Sequence, residues 1–198
     1  MDTCDAAVAA LARGELVVLP TDTVYGLGAD AFSRAAVTRL LTAKGRGRDK
    51  PSPVLVASMD DAARLTSGIP AGARALAAAY WPGALTLILP ANESIGWDLG
   101  ETHGTVALRM PDHPLALELL RRTGPLAVSS ANLTEHAPAR TAAQAREQLG
   151  EKVAVYLDGG TAPGGVPSTI VSFAGERAQI LRHGAISDED IAAVVPLD

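Results

Sequence analysis

Short runs of β-branched and aliphatic residues alternate along this chain with amphipathic segments of helical period, and that alternation constrains the fold more than any other feature. It predicts an α/β domain with a twisted open mixed sheet and flanking helices. A helix from Cys4 to Arg13 stops at Gly14, and Glu15 to Leu19 reads as a buried strand ended by Pro20. Ser33 is the expected N-cap of a helix in which Val37, Leu40 and Leu41 recur at i, i+3 and i+4. Further strands are predicted over Pro53 to Ala57, Leu85 to Leu89, Thr105 to Leu108, Leu126 to Val128, Val153 to Leu157, Ser168 to Phe173 and Ala178 to Leu181. Helices are predicted over Ala71 to Tyr80, His113 to Arg122, Thr141 to Leu149 and Ser187 to Val194, and others should fill the remaining gaps. With 198 residues, 47% of them hydrophobic, one full core can form, so a single domain over residues 1–198 is expected. No apolar run approaches the length of a membrane span and Met1 to Asp5 lack a signal-peptide pattern, which points to the cytoplasm. Cys4 is the only cysteine, so an internal disulfide and a thiolate metal cluster are both excluded.

Four cations, Lys44, Arg46, Arg48 and Lys50, stand two apart in a chain of net charge -5. Only three of the 17 Lys+Arg residues are lysine, and two of those three lie here. If the segment runs extended, residues two apart point to one side, as a polyanion site would require. Cations at the end of a helix also complement its macrodipole, so a solvated basic loop is the competing reading. The acidic total argues against broad nucleic-acid binding, which rests on many phosphate contacts.

Polar groups recur at the C-terminal ends of predicted strands, where open α/β sheets bind ligands. Pro20 to Gly28 reads as a polar loop carrying Thr21, Asp22 and Thr23, with Gly26 and Gly28 able to let backbone approach a ligand; a structural turn is an equal alternative. Ser129, Ser130 and Asn132 follow a second strand, and Gly164 to Thr169 and Leu181 to Gly184 are two weaker candidates. Several motifs are missing. Gly159 and Gly164 have P-loop spacing, but Gly165 stands where the lysine belongs, and neither a G-x-S-x-G elbow nor an H-E-x-x-H pair occurs.

In chain order, these segments resemble the YrdC/TsaC family of threonylcarbamoyl-AMP synthases. The matching residues are Pro20 to Leu27, Lys44-x-Arg46, Trp81-Pro82-Gly83-x-Leu85-Thr86, Val106 to Pro111, Ser130-Ala131-Asn132, Pro167 to Ile170 and Arg182-x-Gly184. The resemblance implies a concave, positively lined cavity and a reaction joining L-threonine, bicarbonate or CO2, and ATP, with Mg2+ accompanying the ATP. A partner transferase would then carry the threonylcarbamoyl group to adenosine 37 of tRNA. By the same resemblance Lys44 and Arg46 would be catalytic, and Lys44, Arg46, Lys50, Thr105, Ser130, Asn132 and Arg182 would contact ATP. Thr21, Thr23, Arg109 and Ser168 would hold threonine, with the Arg109 fork suited to its carboxylate, while Asp22 would accept from the substrate ammonium or tune the site. This chemistry needs no protein nucleophile, because a carbamate is already anionic and the task is to bring it up to a triphosphate.

Two departures from the family pattern stand out. Gly47-Arg48 replaces the proline that commonly follows the arginine, which predicts a looser, more basic loop, and the sequence stops at Asp198 as in the short single-domain form. The alternatives are a relative that forms a simpler carbamoyl adenylate and a non-catalytic module for tRNA or double-stranded RNA; a weak tRNA contact is compatible with the basic loop.

Overall fold

We describe residues 3–164, 166–175 and 177–197 of a computed structural model. Its strands are β1 (Val17–Leu19), β2 (Gly26–Asp30), β3 (Val54–Leu55), β4 (Leu85–Pro90), β5 (Thr105–Arg109), β6 (Leu126–Ser130), β7 (Val155–Tyr156), β8 (Thr169–Ser172) and β9 (Gln179–Arg182). They form one mixed sheet in the order β7-β1-β2-β6-β3-β5-β4-β8-β9. Three pairs are parallel (β1 with β7, β3 with β5, β4 with β8) and the other five antiparallel, and only β1–β2, β4–β5 and β8–β9 join strands consecutive in sequence. The helices are α1 (Thr3–Ala12), α2 (Arg34–Lys44), α3 (Met59–Leu65), α4 (Ala71–Tyr80), α5 (Pro114–Thr123), α6 (Ala142–Leu149) and α7 (Asp188–Ala192). Among the described residues no helix is long and apolar enough to cross a membrane.

Strand alternation divides the apolar residues between two cores. Val18, Leu27, Leu87 and Leu108 pack with α2, α4 and α6 through Leu40, Leu76 and Leu149, while Val17, Leu19, Leu126 and Val128 pack with α1 and α5 through Leu11 and Leu119. On β5 and β4 the core takes Val106, Leu108, Leu85, Leu87 and Leu89, so Thr105, Ala107, Arg109, Thr86 and Ile88 face the other way. Register places Ile88 beside Ala107 and Thr86 beside Ile170, and Ile88, Ala107 and Ile170 are only partly buried. The fold thus leaves a half-open strip across β5, β4 and β8.

The predicted elements are present with ends moved by at most two residues, and Ala71–Tyr80 coincides with α4. Ser33 and Thr141 cap their helices with side-chain oxygens, as their positions suggested, and Ser187 does the same for α7. One element differs from expectation. Pro20 to Gly28 is not all loop, since Gly26 and Gly28 begin β2. A Cβ at Gly26 would lie 2.6 Å from Val128 Cγ1, and one at Gly28 3.1 Å from Leu19 Cδ2, so these glycines make room for neighbouring side chains and not for a ligand. Helix α3 lies in a gap for which helix was expected without bounds, although Ser58 caps it and Asp60 and Asp61 fill its first turn.

Tyr25 gathers the loops at one end of the sheet. It has no solvent exposure, its carbonyl accepts from Ala131 N at 2.7 Å, and its amide donates to Ala139 O at 2.9 Å. Its hydroxyl donates to Gly160 O at 2.6 Å and accepts from Gly159 N at 3.0 Å. Tyr25→Phe leaves both peptide groups without this partner, and urea unfolding should show a loss of about 1–3 kcal/mol; a loss below ~0.5 kcal/mol would mean that water replaces the hydroxyl.

Candidate active site

Helix α2 ends at Lys44 because Gly45 adopts the left-handed conformation, φ 63°, that closes helices cheaply. The cations from Lys44 to Lys50 therefore do not share one extended side. Lys44 turns inward and is 4% exposed, and its ammonium donates to Ser130 O, to Asn132 O at 2.7 Å and to Asn132 Oδ1 at 3.3 Å. Arg46 curls over its own loop, donating from Nε to Lys50 O at 2.7 Å and from Nη2 to Pro51 O at 3.3 Å. Its Nη1 meets Ser129 Oγ at 2.9 Å. Arg48 turns outward to Asp98, at 2.5 Å, and Lys50 is exposed. Burial, and then the Arg46 charge, push the Lys44 ammonium down to about 8. Three acceptors oppose that pull, because a neutral amine would leave one of them without a donor.

A second cationic centre lies on the half-open strip and at its ends. Arg109 is 8% exposed and donates from Nη2 to Asp22 at 2.7 Å, from Nη1 to Thr23 Oγ1 at 3.0 Å and from Nε to Gly83 O at 3.0 Å. Asp22 also accepts from Asp112 N at 3.0 Å. This assigns Asp22 a partner that the sequence reading left open: it holds Arg109. Ser168 is buried, with its hydroxyl 2.8 Å from Thr86 Oγ1 and 2.8 Å from Arg182 Nη2, while its carbonyl accepts from Arg182 Nε at 2.9 Å. The glycine of Arg182-x-Gly184 makes this contact possible, since a Cβ there would lie 2.4 Å from Thr169 N. Burial, and then the Arg109 charge, lower the Arg182 pKa, so the two guanidinium groups feel each other.

The predicted residues thus fall into two groups. Lys44, Arg46, Ser130 and Asn132 meet where α2 approaches the end of β6, and Thr23, Arg109, Ser168 and Arg182 meet around the strip. Thr21 joins the second group through Thr23, their hydroxyls 3.1 Å apart. Thr105 stands apart from Arg109 by four residues of β5, ~13 Å along the strand, on the same face. Its hydroxyl donates to Thr102 O at 2.7 Å. Asn132 also donates to Leu133 O and His136 O, both at 2.8 Å, so its amide knits the turn together. Ser129, named with Ser130 and Asn132 among the candidate polar groups, lies under Arg46. Sequence reasoning gave no role to two further groups, Thr86 under Ser168 and Asp98 against Arg48; Thr86 lay inside a quoted motif, whereas nothing in the sequence linked Asp98 to residue 48.

Comparison with known proteins gives this geometry a lineage. The family model for the Sua5/YciO/YrdC domain, described as "Telomere recombination", matches residues 9–184. The chain belongs to that family. Among Sua5/YciO/YrdC relatives, a Mycobacterium tuberculosis protein provisionally named threonylcarbamoyl-AMP synthase is 55% identical, covering 97% of this chain and 88% of the relative. The Bacillus subtilis threonylcarbamoyl-AMP synthase is 42% identical over 96% of this chain and 55% of its own length. The structure of Pyrococcus abyssi Sua5 complexed with L-threonine superposes with a TM-score of 0.90 at 35% identity, covering 98% of this chain and 58% of that one. Escherichia coli YciO, at 22% identity and a TM-score of 0.81 over 92% of this chain and 89% of that one, shares the fold.

Lys44 makes a test of this family geometry by titration. Its folded pKa, about 8, lies below its ordinary value of 10.5, so the unfolded chain binds more protons between those limits. The stability contributed by Lys44 should rise with pH through that window and be lost as pH falls through about 8. Urea unfolding of the wild type against Lys44→Met from pH 7.5 to 10.5 should show the difference moving toward the wild type; a flat difference would place the titration elsewhere.

Proposed function

We propose that this chain is a threonylcarbamoyl-AMP synthase, a nucleotidyltransferase that makes threonylcarbamoyl-AMP and pyrophosphate from L-threonine, bicarbonate or CO2, and ATP. One observation carries the reading: the sheet bears two cationic centres, and among the described residues Asp22 is the one carboxylate in an ion pair with Lys44, Arg46, Arg109 or Arg182. Two anions with separate sites fit that arrangement, a triphosphate at Lys44, Arg46 and Lys50 and an amino-acid carboxylate at Arg109. The names of the relatives, and the threonine complex of the P. abyssi protein, favour threonine as that amino acid.

The mechanism follows from charge placement. Threonine binds with its carboxylate toward the Arg109 guanidinium and its polar groups toward Thr21, Thr23 and Ser168. Its ammonium loses one proton to become the amine, the amine nitrogen adds to the carbon of CO2, and a second proton leaves the nitrogen for solvent as the carbamate forms. A carbamate oxygen then attacks the α-phosphorus of ATP, the bond to the β-phosphate oxygen breaks, and pyrophosphate leaves with that electron pair. Arg46, partly buried and fixed by Ser129 and two carbonyls, offers a preorganised positive field to the charge that builds on the leaving oxygen. Lys44 adds its charge at the same end while holding the turn at Ser130 and Asn132. Thr105 and Arg182, on and beside the strip, flank the space that the nucleotide would span.

Mg2+ accompanies ATP in this proposal. No three His, Cys, Asp or Glu residues converge on a metal site among the described residues, and Asp22 is engaged by Arg109. The ion would be held chiefly by phosphate oxygens and water, as Mg2+ commonly is. The activated product would pass to a tRNA threonylcarbamoyl transferase in the cytoplasm.

Incubation with ATP, Mg2+, bicarbonate and threonine should release pyrophosphate only when both threonine and bicarbonate are present. Release that needs neither would rule the proposal out. Lys44→Ala and Arg46→Ala should each lower turnover at least about 100-fold, equivalent to ~2.7 kcal/mol of transition-state stabilisation. Near-normal rates in folded Arg46→Ala would reduce that arginine to a loop clasp.

A further inference from the structure

The loop that carries Arg46 and Lys50 is held from outside its own motif. Asp98, 18% exposed at its side chain, accepts from Arg48 Nη2 at 2.5 Å and pairs with Arg34 Nε at 3.4 Å; it also accepts from Gly100 N at 3.3 Å. Around that carboxylate the backbones interlock. Glu101 N donates to Arg48 O at 2.9 Å and Ser52 N to Leu99 O at 3.4 Å. Gly100, at φ +109°, is packed so closely that a Cβ would lie 2.8 Å from Arg48 O. Trp97 stacks on Phe32 at a centroid distance of 5.9 Å, just before α2 begins. The 97–101 segment therefore touches α2 at its start through Arg34 and Phe32, and grips the loop beyond the helix end through Arg48.

We propose that Asp98 is a positioning residue, whose pairing with Arg48 and Arg34 sets the loop of residues 45–51 so that Arg46 and Lys50 face the triphosphate. The ATP part of this statement rests on the function proposed above, whereas the holding of the loop does not. It also revises the expectation from sequence. Arg48 does not loosen the loop where the family's proline is missing; it supplies a tether in the proline's place. A lone exposed ion pair contributes little, but here the carboxylate gathers two guanidinium groups from separate segments and the Gly100 amide of its own, and the backbone bonds beside it depend on the same alignment.

Charge alone and positioning predict opposite signs. Asp98→Asn removes a negative charge near the phosphate-facing cations, so a purely electrostatic role would lower KM for ATP. Positioning predicts a rise of about fivefold, the scale of one ion pair within a network, with KM for threonine within about twofold of wild type. Equal rises for both substrates, or no rise for ATP, would overturn the proposal.

A second measurement needs no activity. Limited trypsin digestion of the folded full chain should cut Asp98→Asn between Arg46 and Gly47 about five times faster than wild type, with the thermal midpoint nearly unchanged. Arg48→Gln, at a 52% exposed side chain that folding tolerates, should accelerate the same cut. Unchanged cleavage in both variants would refute the tether even if the synthase reaction is confirmed. Faster cleavage in a protein without synthase activity would keep the tether and reject the reaction.

Discussion

A buried ammonium joins helix α2 to the sheet. Lys44, the last residue of α2, is almost wholly withdrawn from water and has its three donors aimed at Ser130, the last residue of β6, and at Asn132 just beyond it. Such a charge is tolerated only where every proton has an acceptor, and removing one partner of a buried charged contact costs about 3–5 kcal/mol. That requirement fixes how α2 meets the sheet. It also dictates where the chain emerges after Gly45, hence where Arg46 can reach Ser129. Thr134 reinforces the join by donating its amide and hydroxyl to Lys44 O at 3.1 and 2.8 Å.

The second centre is built on the same logic with a different donor. Arg109 is nearly as buried as Lys44, and Asp22, Thr23 and Gly83 take its three kinds of N–H. Only one of these partners is charged. With Arg182 close enough to lower its own pKa through Arg109, the region retains positive charge that an incoming carboxylate can neutralise. Apart from the exposed Lys50, the cations of the two centres are held by the protein's own groups. The arginines and the lysine are clasped by carbonyls and hydroxyls first, which removes the reorganisation that mobile side chains would need on binding.

Alternation of apolar runs was enough to mark an α/β domain and most helix ends, because Ser33, Thr141 and Ser187 cap through local bonds that need no tertiary partner. Strand β2 escaped because Gly-Leu-Gly carries no β-propensity; its glycines answer to Val128 and Leu19, which arrive from other strands. The motif residues were visible, but their geometry was not. Lys44 and Arg46 stand two apart and looked equivalent, yet one is a plug between helix and sheet and the other a clasp over its own loop.

What the sequence determined by itself was therefore the class of fold, the family and the types of residue at the site, all of which follow from local pattern and ordered motifs. What only the tertiary structure decided was which groups meet. Asp22 finds Arg109 across 87 residues, Lys44 finds Asn132 across 88, and Arg48 finds Asp98 across 50. Such pairings depend on how twisted strands of mixed direction are ordered in the sheet, and an order that places β6 between β2 and β3 leaves no periodic trace along the chain.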